Sequence, residues 1–119
     1  MNEILFLEKS LFKHEYISNG KWLENTIHDK FAECGKSGLL YNKKGIVKFL
    51  LSCSQDRDIT ICNFECEKVD DNTWLVHYIT KSNNGELYYR TSIWVKDNNL
   101  KLLYHQATKL NVDVELTEF

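Results

Sequence analysis

The chain of 119 residues contains no proline and only five glycines. No linker, repeat or low-complexity tract divides it, so residues 1–119 read as a single domain, long enough to bury a core of its own. No apolar run approaches the roughly 20 residues a membrane-spanning helix needs, so no membrane partner is expected. Basic charge is also scarce: 15 Lys and Arg stand against 17 Asp and Glu, a formal net charge of −2. Without a basic stripe to neutralise phosphates, nucleic acid is not an expected partner. Cys34, Cys53, Cys62 and Cys66 form no CxxC pair, and no His lies at zinc-ligand spacing to them, so neither a metal nor a cofactor is expected. Cys62 and Cys66 share strand parity with Phe64 and read as small hydrophobes on one strand face, as reduced cysteines do. The opening MNEILFLEKSLFKHE has Glu3 and Glu8 inside its apolar run and no small-residue cleavage site. That argues against a secretory leader, and the expected location is the cytoplasm.

What is present is two periodicities in succession. Ile4, Leu7 and Leu11, with Leu5 and Phe12, fall at helical spacing, one apolar face with Glu and Lys opposite. Ser18 is placed to cap a short second helix carrying Trp22, Leu23 and Ile27. Residues 28–34 read as a strand ending in the turn-rich Cys34-Gly35-Lys36-Ser37-Gly38. Asn42 is an N-cap for a third helix through about Ser52 that buries Ile46, Val47, Phe49 and Leu50. From residue 58 the period becomes two. DITICNFECEKV, TWLVHYITKS, ELYYRTSIWVK and LKLLYHQATKL are strands separated by Asp70-Asp71-Asn72, Ser82-Asn83-Asn84-Gly85 and Asp97-Asn98-Asn99. Helices first and a four-strand meander after predict an α+β domain, with helices packed on one face of a curved sheet. Leu87, Tyr89, Ile93 and Val95 make the second face of the sheet apolar too, and a second copy of the chain is the simplest cover for it.

Three segments then resemble a known family: FAECGKSG at 31–38, YRTSIW at 89–94 and HQATKL at 105–110. Together with the order and length of the elements they are similar to DUF4440-type domains of the NTF2-like superfamily, which includes SnoaL-like cyclases and ketosteroid isomerases. The resemblance implies a cystatin-like α+β fold: a cone-shaped barrel, mostly antiparallel and strongly bent, often paired into homodimers through the sheet. The chain departs from the family pattern at Leu100, where tryptophan is common, and in HQATK, where HQGTP is usual.

The polar residues of the last two strands are the candidates for chemistry. Arg90 can hold a carboxylate or other anion, and His105 can act as acid or base. Glu33 can pair with Arg90 or act as a base itself if buried. Ser92, Trp94, Tyr104, Gln106 and Ser37 complete the candidate ligand-binding set. The same residues also read as a satisfied structural network. A two-residue loop in the last hairpin sets Arg90 opposite His105; a three-residue loop sets Arg90 opposite Gln106 and Ser92 opposite Tyr104. His77 reads as interface or core, His14 and His28 as residues at element ends. Tyr78, Tyr88, Tyr104 and Trp94 suit either packing or a pocket lining. Gly35-Lys36-Ser37-Gly38 lacks P-loop spacing. The functions expected are small-molecule binding between sheet and helices, an isomerase- or cyclase-type activity using His105 or Glu33, or a homodimeric interaction module.

Overall fold

A computed structural model describes residues 2–119. Helix α1 (Asn2–Ser10), the single turn α2 (His14–Ile17) and α3 (Gly20–Thr26) lead into strand β1 (Ile27–Cys34). A hairpin returns β2 (Leu40–Asn42), and α4 (Lys43–Ser52) follows. Four long strands complete the order: β3 (Ile59–Asp70), β4 (Thr73–Ser82), β5 (Leu87–Asp97) and β6 (Asn99–Lys109). They form one six-stranded sheet in the order β2-β1-β6-β5-β4-β3, antiparallel except where β1 runs parallel to β6. This is the α+β architecture expected from the change of period.

Local chemistry explains most of the boundaries. The Asn42 side chain accepts from the Gly45 amide at 2.9 Å and starts α4, which buries Ile46 and Leu50. Phe49 does not join them and stays 41 % exposed. The cap of α3 is Asn19 rather than Ser18, accepting from the Trp22 amide at 3.1 Å. Ile27 leaves that helix for β1, where it pairs with Leu102 and is buried. Strand β2 carries no sequence signal of its own. It exists because Gly38, at φ +82°, lets the Gly35–Gly38 turn fold back onto β1.

Two bulges displace the alternation that the sequence suggests. In β3, Asn63 has φ +53° and the register with β4 shifts between Cys62 and Glu65. Cys62 therefore pairs with Ile79 and Cys66 with Val76, so the two cysteines lie on opposite faces rather than on one. In β6, Lys96 pairs with Leu100 and Trp94 with Leu102, but Ile93 then pairs with Tyr104 and leaves Leu103 as the extra residue. Beyond it Ser92 faces His105 and Arg90 faces Ala107, a register that neither loop length predicts.

Trp74, Val76, Tyr78, Trp94 and Leu102 line the concave face of the sheet; Ile4, Leu23 and Leu50 pack onto it from the helices and Phe12 from the turn after α1. Each such side chain stabilises the fold by about 1.5–3 kcal/mol on burial. The C-terminal segment crosses to the outer edge of β3: the Asn63 amide donates to the Thr117 carbonyl at 2.8 Å and the Phe119 amide to that of Ile61 at 2.9 Å. Among the described residues no helix is long and apolar enough to cross a membrane.

Candidate functional site

Between the concave face and the helices lies a cavity of about 30 Å³, room for one or two waters. Four ionisable groups reach it on four different elements: Glu8 from α1, Glu33 from β1, Arg90 from β5 and His105 from β6. Arg57, on the segment between α4 and β3, and the phenol of Tyr78 join them.

Glu8 anchors the inner end. It is 1 % exposed, accepts from Trp94 Nε1 at 2.8 Å and from the Tyr78 hydroxyl, and Ser92 bonds to it as well. Three donors on one acid suit the carboxylate form, which only accepts. A chain of bonds runs outward from there. Ser92 Oγ lies 2.8 Å from His105 Nδ1, and Arg90 Nη1 lies 3.4 Å from His105 Nε2. Arginine can only donate, so Nε2 accepts and the imidazole proton sits on Nδ1, donated to Ser92. Arg90 Nε donates to Thr80 Oγ1 at 2.8 Å.

The electrostatics follow from burial. Burial pushes the Glu8 carboxyl up, and its three hydrogen bonds and Arg90 pull it back. Glu33 is also pushed up by burial, opposed by Arg57 and Arg90. Burial and then the two arginines hold His105 down at about 3, so it is neutral at pH 7. The Tyr78 phenol is raised well above its usual range by burial and by Glu8. Arg57 is lowered by burial and by repulsion from Arg90. Neither guanidinium forms an ion pair with a carboxylate among the described residues. Both rest instead on the Phe12 ring, with Arg57 Cζ 4.5 Å and Arg90 Cζ 5.3 Å from its centroid. Arg57 commits Nη1 to the Leu11 carbonyl at 3.0 Å. No fully buried polar side-chain atom lacks a partner among the described residues. The remaining guanidinium hydrogens thus face open volume.

Of the residues singled out from the sequence, the fold brings Glu33, Arg90, Ser92, Trp94 and His105 together inside the cone. Glu33 and His105 are direct neighbours across the parallel pair. Tyr104 and Gln106 face the other way, bonded to each other at 2.6 Å on the convex side, because the β6 bulge reverses their facing. Ser37 is exposed in the β1–β2 turn. Glu8, Arg57 and Tyr78 were not among the candidates. Glu8 had a signal, since it lies four residues from both Ile4 and Phe12 and thus on their helical face rather than opposite it. Tyr78 shares parity with Trp74 and Val76. Arg57, between two aspartates in a loop, had none. Among the described residues no three His, Cys, Asp or Glu side chains gather as a metal-ligand set.

No family model matches the sequence, and no curated protein matches it. Solved structures do. An NTF2-like protein from Cytophaga hutchinsonii has 18 % identity and a TM-score of 0.73, over 92 % of this chain and 97 % of that one. A DUF3225-family protein of unknown function from Pectobacterium atrosepticum has 15 % identity and a TM-score of 0.76, over 92 % and 87 %. A candidate ketosteroid isomerase from Parabacteroides distasonis has 8 % identity and a TM-score of 0.70, over 91 % and 85 %. A cone of curved sheet closed by N-terminal helices, shared over nine-tenths of the chain with such structures, gives this protein the NTF2-like fold.

Proposed function

We propose that the cone interior binds a small anion, a short-chain carboxylate being the best match, between the guanidiniums of Arg57 and Arg90. One observation carries this reading: the buried Arg90 and the half-buried Arg57 share a cavity with spare donors and no carboxylate partner among the described residues, while each lowers the titration of its neighbours. A carboxylate would accept planar, bidentate bonds from such forks and offset their mutual repulsion. The volume of about 30 Å³ limits the ligand to a few heavy atoms unless the lining moves. Titration of the protein with formate and acetate, followed by amide chemical shifts, tests it. Saturable shifts at Arg90 and His105, weakened at least tenfold by Arg90→Ala, are expected. Shifts that never saturate, or that Arg90→Ala leaves unchanged, would refute it.

Glu33 supports a second reading, an isomerase- or cyclase-type proton transfer. It is a carboxylate raised by burial with no hydrogen-bond partner among the described residues, beside a neutral His105. At a pKa of about 3 His105 is a weak base, so Glu33 would move the proton and the arginines would hold the developing oxyanion. Membership of the DUF4440 branch is part of the same proposal, supported by the three similar segments each giving one cavity residue: Glu33, Arg90 and His105. A cytoplasmic homodimer joined through the convex face belongs to it too. The half-buried Leu75, Ile93, Val95 and Leu103 on that face support it.

A further inference from the structure

The inner cavity has a neighbour. A surface groove of about 270 Å³ runs along Lys9, Lys13, Asp56 and Asp58 to the C-terminal Phe119. Among the described residues, only Phe12 and Arg57 line both spaces. Phe12 is 5 % exposed, and Arg57 Cζ lies over its ring, 4.5 Å from the centroid, with the Phe49 ring centroid at 5.8 Å. The two side chains are the partition between groove and cavity.

The backbone on both sides of this partition is fixed. The Arg57 amide donates to the Phe12 carbonyl at 2.8 Å. Asp56 accepts from the His14 amide at 2.8 Å and lies 3.7 Å from Lys13 Nζ. Opening therefore falls to side-chain rotation rather than to loop movement. Arg57 is the mobile half, since one contact to the Leu11 carbonyl and two ring faces hold a long, half-buried side chain whose charge is repelled by Arg90.

We propose that Phe12 and Arg57 form a side-chain gate through which ligand passes from the groove, and that Phe12 sets the length of ligand accepted. This rests on the anion reading above and adds to it a ligand class: an unbranched monocarboxylate, its head group at Arg90 and its chain pointing back past Phe12. With Phe12 closed, only the shortest acids fit. With Phe12 removed, cavity and groove merge into a space at the lower end of ordinary small-molecule pockets, about 300 Å³.

Two measurements on the full chain separate the gate from the anion reading. The first is the rate at which diethyl pyrocarbonate modifies His105, read by peptide mass spectrometry against the surface residue His28. His105 is neutral, so in Phe12→Ala, which keeps both arginines that lower it, the change in rate reports access; Arg57→Ala also relieves part of that lowering. Phe12→Ala is expected to raise that rate more than tenfold, and Arg57→Ala to raise it less. Leu23→Ala, which weakens the core away from the partition, is the control for general loosening. An unchanged rate in Phe12→Ala, or an equal rise in Leu23→Ala, overturns the gate. The second is a binding series from formate to hexanoate. The unaltered protein should lose affinity beyond acetate, and Phe12→Ala should reverse the order at least tenfold in favour of the longer acids. Unchanged length preference overturns the role of Phe12 as selector. If formate fails to bind either protein while His105 opens as expected, the anion reading falls and the gate stands.

Discussion

Replacing His105 by Gln removes from the cone interior the imidazole that burial, and then the two arginines, hold neutral. In the folded chain its pKa is about 3, against 6.5 unperturbed. The unfolded chain thus takes up the proton first. The stability this contributes is complete above pH 6.5 and is lost as pH falls through 6.5 toward 3. Between pH 7 and pH 5 the loss from this group is about 2 kcal/mol, or roughly 6–8 °C in Tm for a domain of this size. Glu8 and Glu33 act in the opposite sense. Their folded-state pKa values lie above 4.5, so stability from them is greatest below 4.5 and declines as pH rises through the folded values. The measured pH dependence of the unaltered protein is the sum of these opposed slopes. The carboxylate contribution cancels on comparing the two proteins, because His105→Gln leaves both acids in place. Urea unfolding at pH 5 and pH 7 should show the change in stability differing between them by about 2 kcal/mol, with the variant losing less on acidification. Parallel pH profiles would refute the reasoning, as would a His105 Cε1 proton that titrates near 6.5 by NMR.

Substitutions at two other positions probe the buried network and the edge of the sheet. Glu8→Leu leaves the Trp94 indole and the Tyr78 hydroxyl without their acceptor, and urea unfolding should show a loss of about 3–5 kcal/mol. Glu8→Gln keeps one acceptor oxygen and should lose only about 1–2 kcal/mol; equal stability of the Leu variant would mean that the cost of burying the carboxylate outweighs its bonds. Asn63→Ala removes the side chain that donates to the Glu115 carbonyl at 3.0 Å and accepts from the Thr117 amide at 2.7 Å. Hydrogen exchange at residues 117–119 should quicken at least tenfold, and should do so equally in Asn63→Gly, which tolerates the positive φ; unchanged exchange would show that backbone bonds alone hold the tail.

The four long strands were legible in the sequence to within two residues at each end, because each is bounded by residues that favour turns and alternates over ten or more positions. Asn42 was legible as a cap for the same local reason. The interior was legible in part. Arg90, Ser92 and Trp94 keep one parity along β5, and Glu33 follows from its place in β1. What remained hidden depends on contacts distant in sequence. The β6 bulge has no glycine or other local mark, so Tyr104 and Gln106 took the inward places that belong to His105 and Ala107; the β3 bulge is marked only by Asn63, a residue type that tolerates the left-handed region. Arg57 comes to the cavity only because its loop packs against the end of α1. Glu8 was readable from its spacing, but a carboxylate in an apolar stripe is understood only once its three donors, from β4 and β5, are seen.

The extra residue at Leu103 works as an address shift. Upstream of it β6 delivers its even-numbered side chains to the cone, and downstream its odd-numbered ones. If Leu103 paired regularly, without the bulge, His105 and Ala107 would turn outward and Tyr104 and Gln106 inward, with no side chain replaced. The contents of the cavity and of the convex face are therefore exchangeable by the gain or loss of one bulge. A lineage built on this sheet can trade a binding interior for a different outer surface in one step, at a point where the strand already tolerates irregular pairing.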